Sequence, residues 1–268
     1  MQQREAPDGI FYTRAEFVGH YGGDSEWNAA GAAMLPQLKL LYFDVRGLAE
    51  TTRYMLAWAK VEYEDSRYPM SMGTPGDYST ISHPEFDAAQ AAGDFAAGMG
   101  KVPVLEVSCP HTAAGSTRLC PNAAGGLRVV RLGQSKVIER YVARLVGLAG
   151  GTDAEQAQVE AVAEHVRDLK QAYQKVRQGT DAEKDAWFAT TLGEHSAKLE
   201  AALPFCVASD TFTQAHFAIY TFYTQFFDRA DEAQATLQTC PQLTRICNLV
   251  RAHPEVAAWE ARRPVTAM

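Results

Sequence analysis
The sequence has no apolar run near the roughly 18 residues that cross a bilayer. Its first 30 residues also lack the apolar core of roughly 7 to 15 residues that a secretory signal carries. That stretch holds Glu5, Asp8, Glu16, Asp24 and Glu26, unlike an acid-poor organelle transit peptide. No membrane partner is expected, and a cytoplasmic location is. Positive charge is scarce too. Lys and Arg number 25 against 32 Asp and Glu, a formal net charge of -7, so no long-range field draws phosphate backbones or anionic lipid. Nucleic acid therefore drops out as a partner. The five cysteines, Cys109, Cys120, Cys206, Cys240 and Cys247, are odd in number and lack metal-ligand spacing, which reads as reduced thiols.

What is present is 268 residues with 47% hydrophobic content, enough for one sizeable core or two small domains sharing an interface. Thr13-Arg14-Ala15-Glu16 fits a capping box ahead of Phe17, Val18 and Tyr21, so residues 1–36 read as a partly helical N-terminal extension. From Leu38 to Phe43 a nearly unbroken apolar run predicts a strand buried on both faces. Leu48, Thr52, Met55, Leu56 and Ala59 then share one face of a helix, with Glu50, Arg53 and Lys60 assigned to the wet side. Val61 to Tyr63 is expected to be an edge strand.

Insertions are expected at about 70–100 and 108–126. Between them Val102 to Val107 is strand-like, with Pro103 at its start, where proline removes no interior ladder donor. Leu127 to Leu132 reads as a further strand, and the helix after it is expected to bury Val137, Ile138, Tyr141, Val142 and Leu145. A linker, Gly147-Leu148-Ala149-Gly150-Gly151-Thr152-Asp153, follows, with Thr152 or Asp153 placed to cap the next helix. There Val159, Val162, Val166, Leu169, Tyr173 and Val176 form one long buried seam. These boundaries give an α/β domain over 37–147 and an all-α domain over 153–268.

The order strand, helix, strand, proline-led strand, strand, helix is that of a thioredoxin-like fold. Lys39-Leu40-Leu41-Tyr42-Phe43-Asp44-Val45-Arg46-Gly47-Leu48-Ala49-Glu50 with Arg53-Tyr54 resembles the opening of sigma-class glutathione transferases, which include glutathione-dependent prostaglandin D synthases. Three further blocks agree in order: Gly100-Lys101-Val102-Pro103-Val104-Leu105-Glu106, Leu132-Gly133-Gln134-Ser135, and Leu148-Ala149-Gly150. The C-terminal run from Pro241-x-Leu243 through Pro254-Glu255-Val256 and Trp259 to Arg262-Arg263-Pro264 matches as well.

The resemblance implies the glutathione transferase fold and an enzyme that joins glutathione to a small hydrophobic electrophile. It places Tyr42 as the hydroxyl that hydrogen-bonds the glutathione sulfur, with Arg46 supporting it electrostatically. The reacting species is a thiolate. A hydrogen bond to a charged acceptor contributes roughly 1.5 to 3 kcal/mol, which lowers a thiol pKa of about 8.5 by about one to two units. Phe43, Lys101, Val102, Pro103, Gln134 and Ser135 would hold the tripeptide. Pro103 is expected to be cis with Val102 presenting its backbone, and Gln134-Ser135 to offer amides at a helix start to the gamma-glutamyl carboxylate. Asp168, from the second subunit of a homodimer, would meet the gamma-glutamyl amine. Each residue also has a plainer role: a strand end, a surface ion pair, a trans proline, an N-cap, a solvated acid.

The pattern breaks in two places. The family's tryptophan and lysine for the glycine carboxylate are replaced around His83-Pro84-Glu85-Phe86-Asp87, leaving Lys101 or an inserted residue for that task. Its Ser/Thr-x-x-Asp capping box appears as Thr213-Gln214-Ala215-His216, without the acid. Arg167 interrupts the helix acids that hold a divalent metal in the prostaglandin synthases, so no metal is expected. Two alternatives to a transferase follow from the same residues: an isomerase that recycles glutathione, and a binding or structural protein that kept the fold without turnover. Aromatic residues around Tyr173, Trp187 and Phe188 are expected to line the apolar pocket.

Overall fold
A computed structural model describes residues 3–5, 11–21, 36–74, 78–109, 128–207 and 211–266. Most of the N-terminal extension and of the 108–126 insertion, with Cys120, lies outside them. Cys206, Cys240 and Cys247 are free thiols. Two compact units divide the chain, Met1–Lys39 with Leu105–Arg131, and Leu40–Val104 with Leu132–Met268. In the first, β1 (Gln3–Glu5) pairs antiparallel with β2 (Phe11–Thr13), in the register Arg4 to Tyr12. Helix α1 (Arg14–Tyr21) follows directly, and Phe17 is fully buried.

The elements after residue 36 alternate strand and helix. They are β3 (Gln37–Phe43), a 3-10 turn (Gly47–Ala49), α2 (Glu50–Trp58), β4 (Glu64–Tyr68), a two-residue pair β5 (Ser71–Met72) and β6 (Ile81–Ser82), and α3 (Pro84–Ala91). Strands β7 (Val104–Cys109) and β8 (Arg128–Gly133) then lead to α4 (Ser135–Leu145). The four-stranded sheet has the order β4-β3-β7-β8. The strand expected at 61–63 lies a few residues later, at 64–68, because Val61 N–H is taken by Leu56 C=O at 3.0 Å in the turn that closes α2.

Helix α2 departs most from its sequence pattern. Glu50 and Arg53, assigned to solvent, are 2% and 0% exposed, whereas Leu48, assigned to the core, is 37% exposed. The helix is covered by α4, by α8 (Gln214–Thr221) and by α11 (Pro254–Arg262), which leaves no wet side. Glu50 and Arg53 are tolerated in the interior because they are paired with each other at 3.3 Å, as buried ionisable groups must be. Val137 is a smaller departure: it is 44% exposed, while Ile138, Val142 and Leu145 are buried as expected.

Beyond the linker lie α5 (Asp153–Arg177), α6 (Asp181–Ala186), a π segment (Trp187–Thr191) and α7 (Leu192–Cys206). After α8 come a second π segment (Phe222–Phe226), α9 (Ala230–Thr236), α10 (Pro241–Arg251) and α11. Thr152 caps α5 with Glu155 returning the bond, a full capping box. The seam of α5 is buried at Val159, Val162, Val166, Leu169 and Tyr173. Tyr173 meets Trp187, Phe188 and Phe227 with ring centroids 4.7 to 5.5 Å apart. All four rings are buried, with Tyr173 edge-to-face on Phe188 and Phe227 and tilted against Trp187.

The capping box of α8 is complete after all. His216 Nδ1 accepts the Thr213 N–H at 3.2 Å, doing what a carboxylate does in the sequence form of the motif. The pattern reads as broken because imidazole is not an acid, yet the box needs only an acceptor. Thr213→Ala is expected to cost about 1 kcal/mol, read as a lower denaturant midpoint at unchanged slope, while His216→Asp keeps the acceptor and loses less.

Candidate functional site
Every candidate site residue falls within the unit Leu40–Val104 with Leu132–Met268. Tyr42, near the end of β3, is 7% exposed. Its hydroxyl oxygen accepts the Leu48 N–H at 3.1 Å, so the phenol proton remains free to be donated. Burial pushes the phenol above its usual range, against the opposing effects of the Leu48 bond and the Arg53 charge. The group therefore stays protonated at neutral pH, with a proton available to donate.

Gly47 makes this approach possible. It sits at φ +46°, and a Cβ built there would lie 2.6 Å from the Tyr42 hydroxyl. A side chain at 47 must displace the phenol or unwind the turn. Gly47→Ala is expected to cost about 1 to 2 kcal/mol through its left-handed backbone and to lower conjugation rate further by moving the hydroxyl. Melting curves and kcat on the same sample separate the two effects.

Arg46 is half-buried, and its Nη1 donates to Gln225 Oε1 at 3.2 Å. Burial, then the nearby Arg263 charge, lowers its pKa. The guanidinium at the phenol is that of Arg53, 5.9 Å from the Tyr42 ring centroid. Arg53 also donates to the Val45 carbonyl at 2.7 Å, holding the loop that carries Arg46. Glu50 joins the two halves of this network, accepting from Arg53 at 3.3 Å and from Arg263 at 2.7 Å. Arg263 in turn donates to the same Gln225 Oε1 at 2.9 Å.

Phe43 and Val102 pack against one cluster of Leu41, Phe86, Phe95 and Val104, which brings those two candidates together. The Val102-Pro103 peptide is cis, the state that the resemblance implies. Gly133 lies so close to Ala97 and Gly98 that a Cβ would clash with the backbone of both, which sets the start of α4 beside that turn. There Gln134 takes φ 71° and ψ 117°, a costly backbone for a side-chain-bearing residue of the kind found at functional sites. Ser135 begins α4, and Gln134, not Ser135, occupies the N-cap position.

Lys101 is exposed. His83 stands at the N-cap of α3 and shares a 2.9 Å contact with Asp87. The Asp168 side chain is 62% exposed and is paired with Arg167 at 2.9 Å, not with another of the candidates. Arg167 also binds Glu164 at 2.9 Å. Among the described residues no group of three or more His, Cys, Asp or Glu side chains is placed to hold a metal.

Known proteins resemble this chain in sequence and in fold. The family described as "Glutathione S-transferase, C-terminal domain" matches residues 167–263. Hematopoietic prostaglandin D synthase of Gallus gallus is 28% identical over 240 residues, covering 87% of this chain and 100% of that protein. The solved structure of rat hPGDS complexed with a quinoline superposes with a TM-score of 0.63 at 27% identity, over 87% and 100% of the two chains. Residues 167–263 thus match the glutathione S-transferase C-terminal domain, and the fold is that of glutathione transferases. Glutathione S-transferase S1 of Drosophila melanogaster is 27% identical over 237 residues, covering 85% of this chain and 79% of that one.

Within this glutathione transferase fold, sequence reasoning missed Gln225, Arg53 and Arg263. Gln225 lies in the π segment Phe222–Phe226, and such segments recur at functional sites. A polar residue in the aromatic-rich run Phe222-Tyr223-Thr224-Gln225-Phe226-Phe227 was the available signal. Among the described residues no helix is long and apolar enough to cross a membrane.

Proposed function
We propose that this chain is a glutathione S-transferase that joins the sulfur of glutathione to a small hydrophobic electrophile. The observation that carries the reading is the Tyr42 hydroxyl: its oxygen is occupied by the Leu48 N–H at 3.1 Å, so its proton is left to stabilise a thiolate. The cis Val102-Pro103 segment, just ahead of β7, supplies backbone groups for the cysteinyl part of the tripeptide. Gln134 and Ser135, at the positive end of α4, take the gamma-glutamyl carboxylate, with Lys101 available to the glycine carboxylate. Arg46, held by Gln225, adds positive potential to the sulfur site. A homodimer would bring Asp168 of a second copy to the gamma-glutamyl amine, and the reading places the protein in the cytoplasm.

The names of several relatives support a second reading, in which the same thiolate serves as a recycled nucleophile for isomerisation of prostaglandin type. Titration calorimetry with glutathione tests the shared part, and conjugation of a chloronitrobenzene tests transfer. Binding together with conjugation supports the transferase; binding with turnover of an endoperoxide alone supports the isomerase. No heat on adding glutathione would sink both and leave a binding or structural protein.

A further inference from the structure
Met99 carries a thioether that the glutathione reading does not use. Among the described residues only Lys60, Met99 and Gln134 combine a side chain with a positive φ, a backbone that a Cβ disfavours and that clusters at functional sites. Two of these three meet: Gln134 Nε2 donates to Met99 Sδ at 3.8 Å. Main chain, not that weak contact, holds them together. Met99 ends the 3-10 turn Ala96–Gly98 with φ 56° and ψ 42°, its N–H bonded to Ala96 C=O at 2.9 Å. Gly133, one residue before Gln134, lies against the backbone of the same turn.

The sulfur side of this contact is open. Met99 is 77% exposed, whereas Met55 is fully buried and Met70 and Met72 are partly covered. A thioether is a weak acceptor, so it restrains the Gln134 amide little and leaves it able to turn to a ligand. An accessible thioether is also the form of methionine that oxidants convert to the sulfoxide. That product places a strongly polar acceptor oxygen on the sulfur, within reach of the Gln134 N–H.

We propose that Met99 is a modification site for hydroperoxides that controls glutathione binding, because its exposed sulfur stands against the side-chain amide of Gln134. The proposal rests on the glutathione reading, in which Gln134 receives the gamma-glutamyl carboxylate. A sulfur lone pair attacks one peroxide oxygen, the S–O bond forms and the O–O bond breaks. The second oxygen leaves as water after taking the proton of the transferred oxygen. Sulfur gives up two electrons and the peroxide accepts them. The sulfoxide oxygen then accepts the Gln134 N–H in place of the ligand carboxylate, while Tyr42 is untouched. Sulfoxide reductases reverse the change.

The test treats the full chain with hydrogen peroxide, follows each methionine by peptide mass spectrometry and measures glutathione binding by calorimetry before and after. Met99 is expected to oxidise ahead of Met55. The Kd for glutathione should then rise by about tenfold, the loss of one hydrogen bond to a charged acceptor, and a methionine sulfoxide reductase should restore it. Met99→Leu keeps the bulk without the sulfur, so it should bind glutathione as the untreated wild type does and hold that affinity after peroxide. Oxidation of Met99 no faster than that of Met55, an unchanged Kd once Met99 is oxidised, or an equal loss in Met99→Leu would each overturn the proposal. Failure of the glutathione reading looks different: no heat from glutathione before any peroxide is added, which removes both.

Discussion

Tyr42→Phe is expected to lower kcat/KM for glutathione conjugation by about 10- to 150-fold, the loss of one hydrogen bond to a charged acceptor of roughly 1.5 to 3 kcal/mol. The ring stays, so the packing of a side chain only 7% exposed is retained, and the lost Leu48 N–H partner costs about 1 kcal/mol of stability. The pH dependence identifies the cause. In the wild type the bound thiol is expected to ionise about one to two units below its usual pKa of about 8.5. In the variant it ionises near its ordinary value. The deficit should therefore be largest near neutral pH and shrink as pH rises above about 9, where glutathione ionises unaided. The Tyr42 phenol, held above its usual range by burial, remains a donor across that window. A deficit that does not change with pH would indicate lost positioning instead, and an unchanged rate would remove Tyr42 from the chemistry.

Glu50→Ala is expected to be the most destabilising of these substitutions, by about 3 to 5 kcal/mol. The carboxylate is 2% exposed and the Arg53 guanidinium 0%. Arg53 keeps Asp65 at 3.2 Å and the Val45 carbonyl, but Arg263 loses its 2.7 Å carboxylate. Removing one side of a buried ion pair leaves the other cation in a medium that solvates it poorly, which is why the cost exceeds that of an exposed pair at about 0 to 1 kcal/mol. Chemical denaturation gives the number directly. A midpoint shift no greater than that of Lys60→Ala, which removes a partner from the exposed Lys60–Glu255 pair, would show that the network contributes little.

The C-terminal helix depends on the same region. Glu260 accepts from Tyr54 at 2.6 Å and Tyr220 at 2.7 Å, fastening α11 to α2 and α8. Arg263, just past the end of α11, then reaches Glu50 and Gln225. Arg46 is thus held through Gln225 by a network that includes the last turns of the described chain.

Local features are legible in the residues themselves. A cap at Thr152 or Asp153 follows from residue type at a helix start, though the partner Glu155 emerges only in the structure. The α5 seam follows from a helical period, and Pro103 from what a strand start tolerates. Tyr42, Val102, Gln134 and Ser135 stand out only through the family resemblance, because nothing in their immediate composition marks them. The α8 cap and the face of α2 mislead for one shared reason: residue type is a poor proxy for environment. His216 serves as an acceptor and Arg53 lies in the core, each because of what surrounds it.

What the sequence determined by itself is the succession of strands and helices and several of their caps, which depend on neighbours within a few positions, while shared motifs named the candidate glutathione residues. Only the tertiary structure decided which cation faces Tyr42 and what holds Arg46. Those contacts join residues far apart in the chain, 179 positions for Arg46 and Gln225 and 213 for Glu50 and Arg263. No local period encodes such pairs. They arise when packing removes water, so that each charge must settle on whatever partner the fold places beside it.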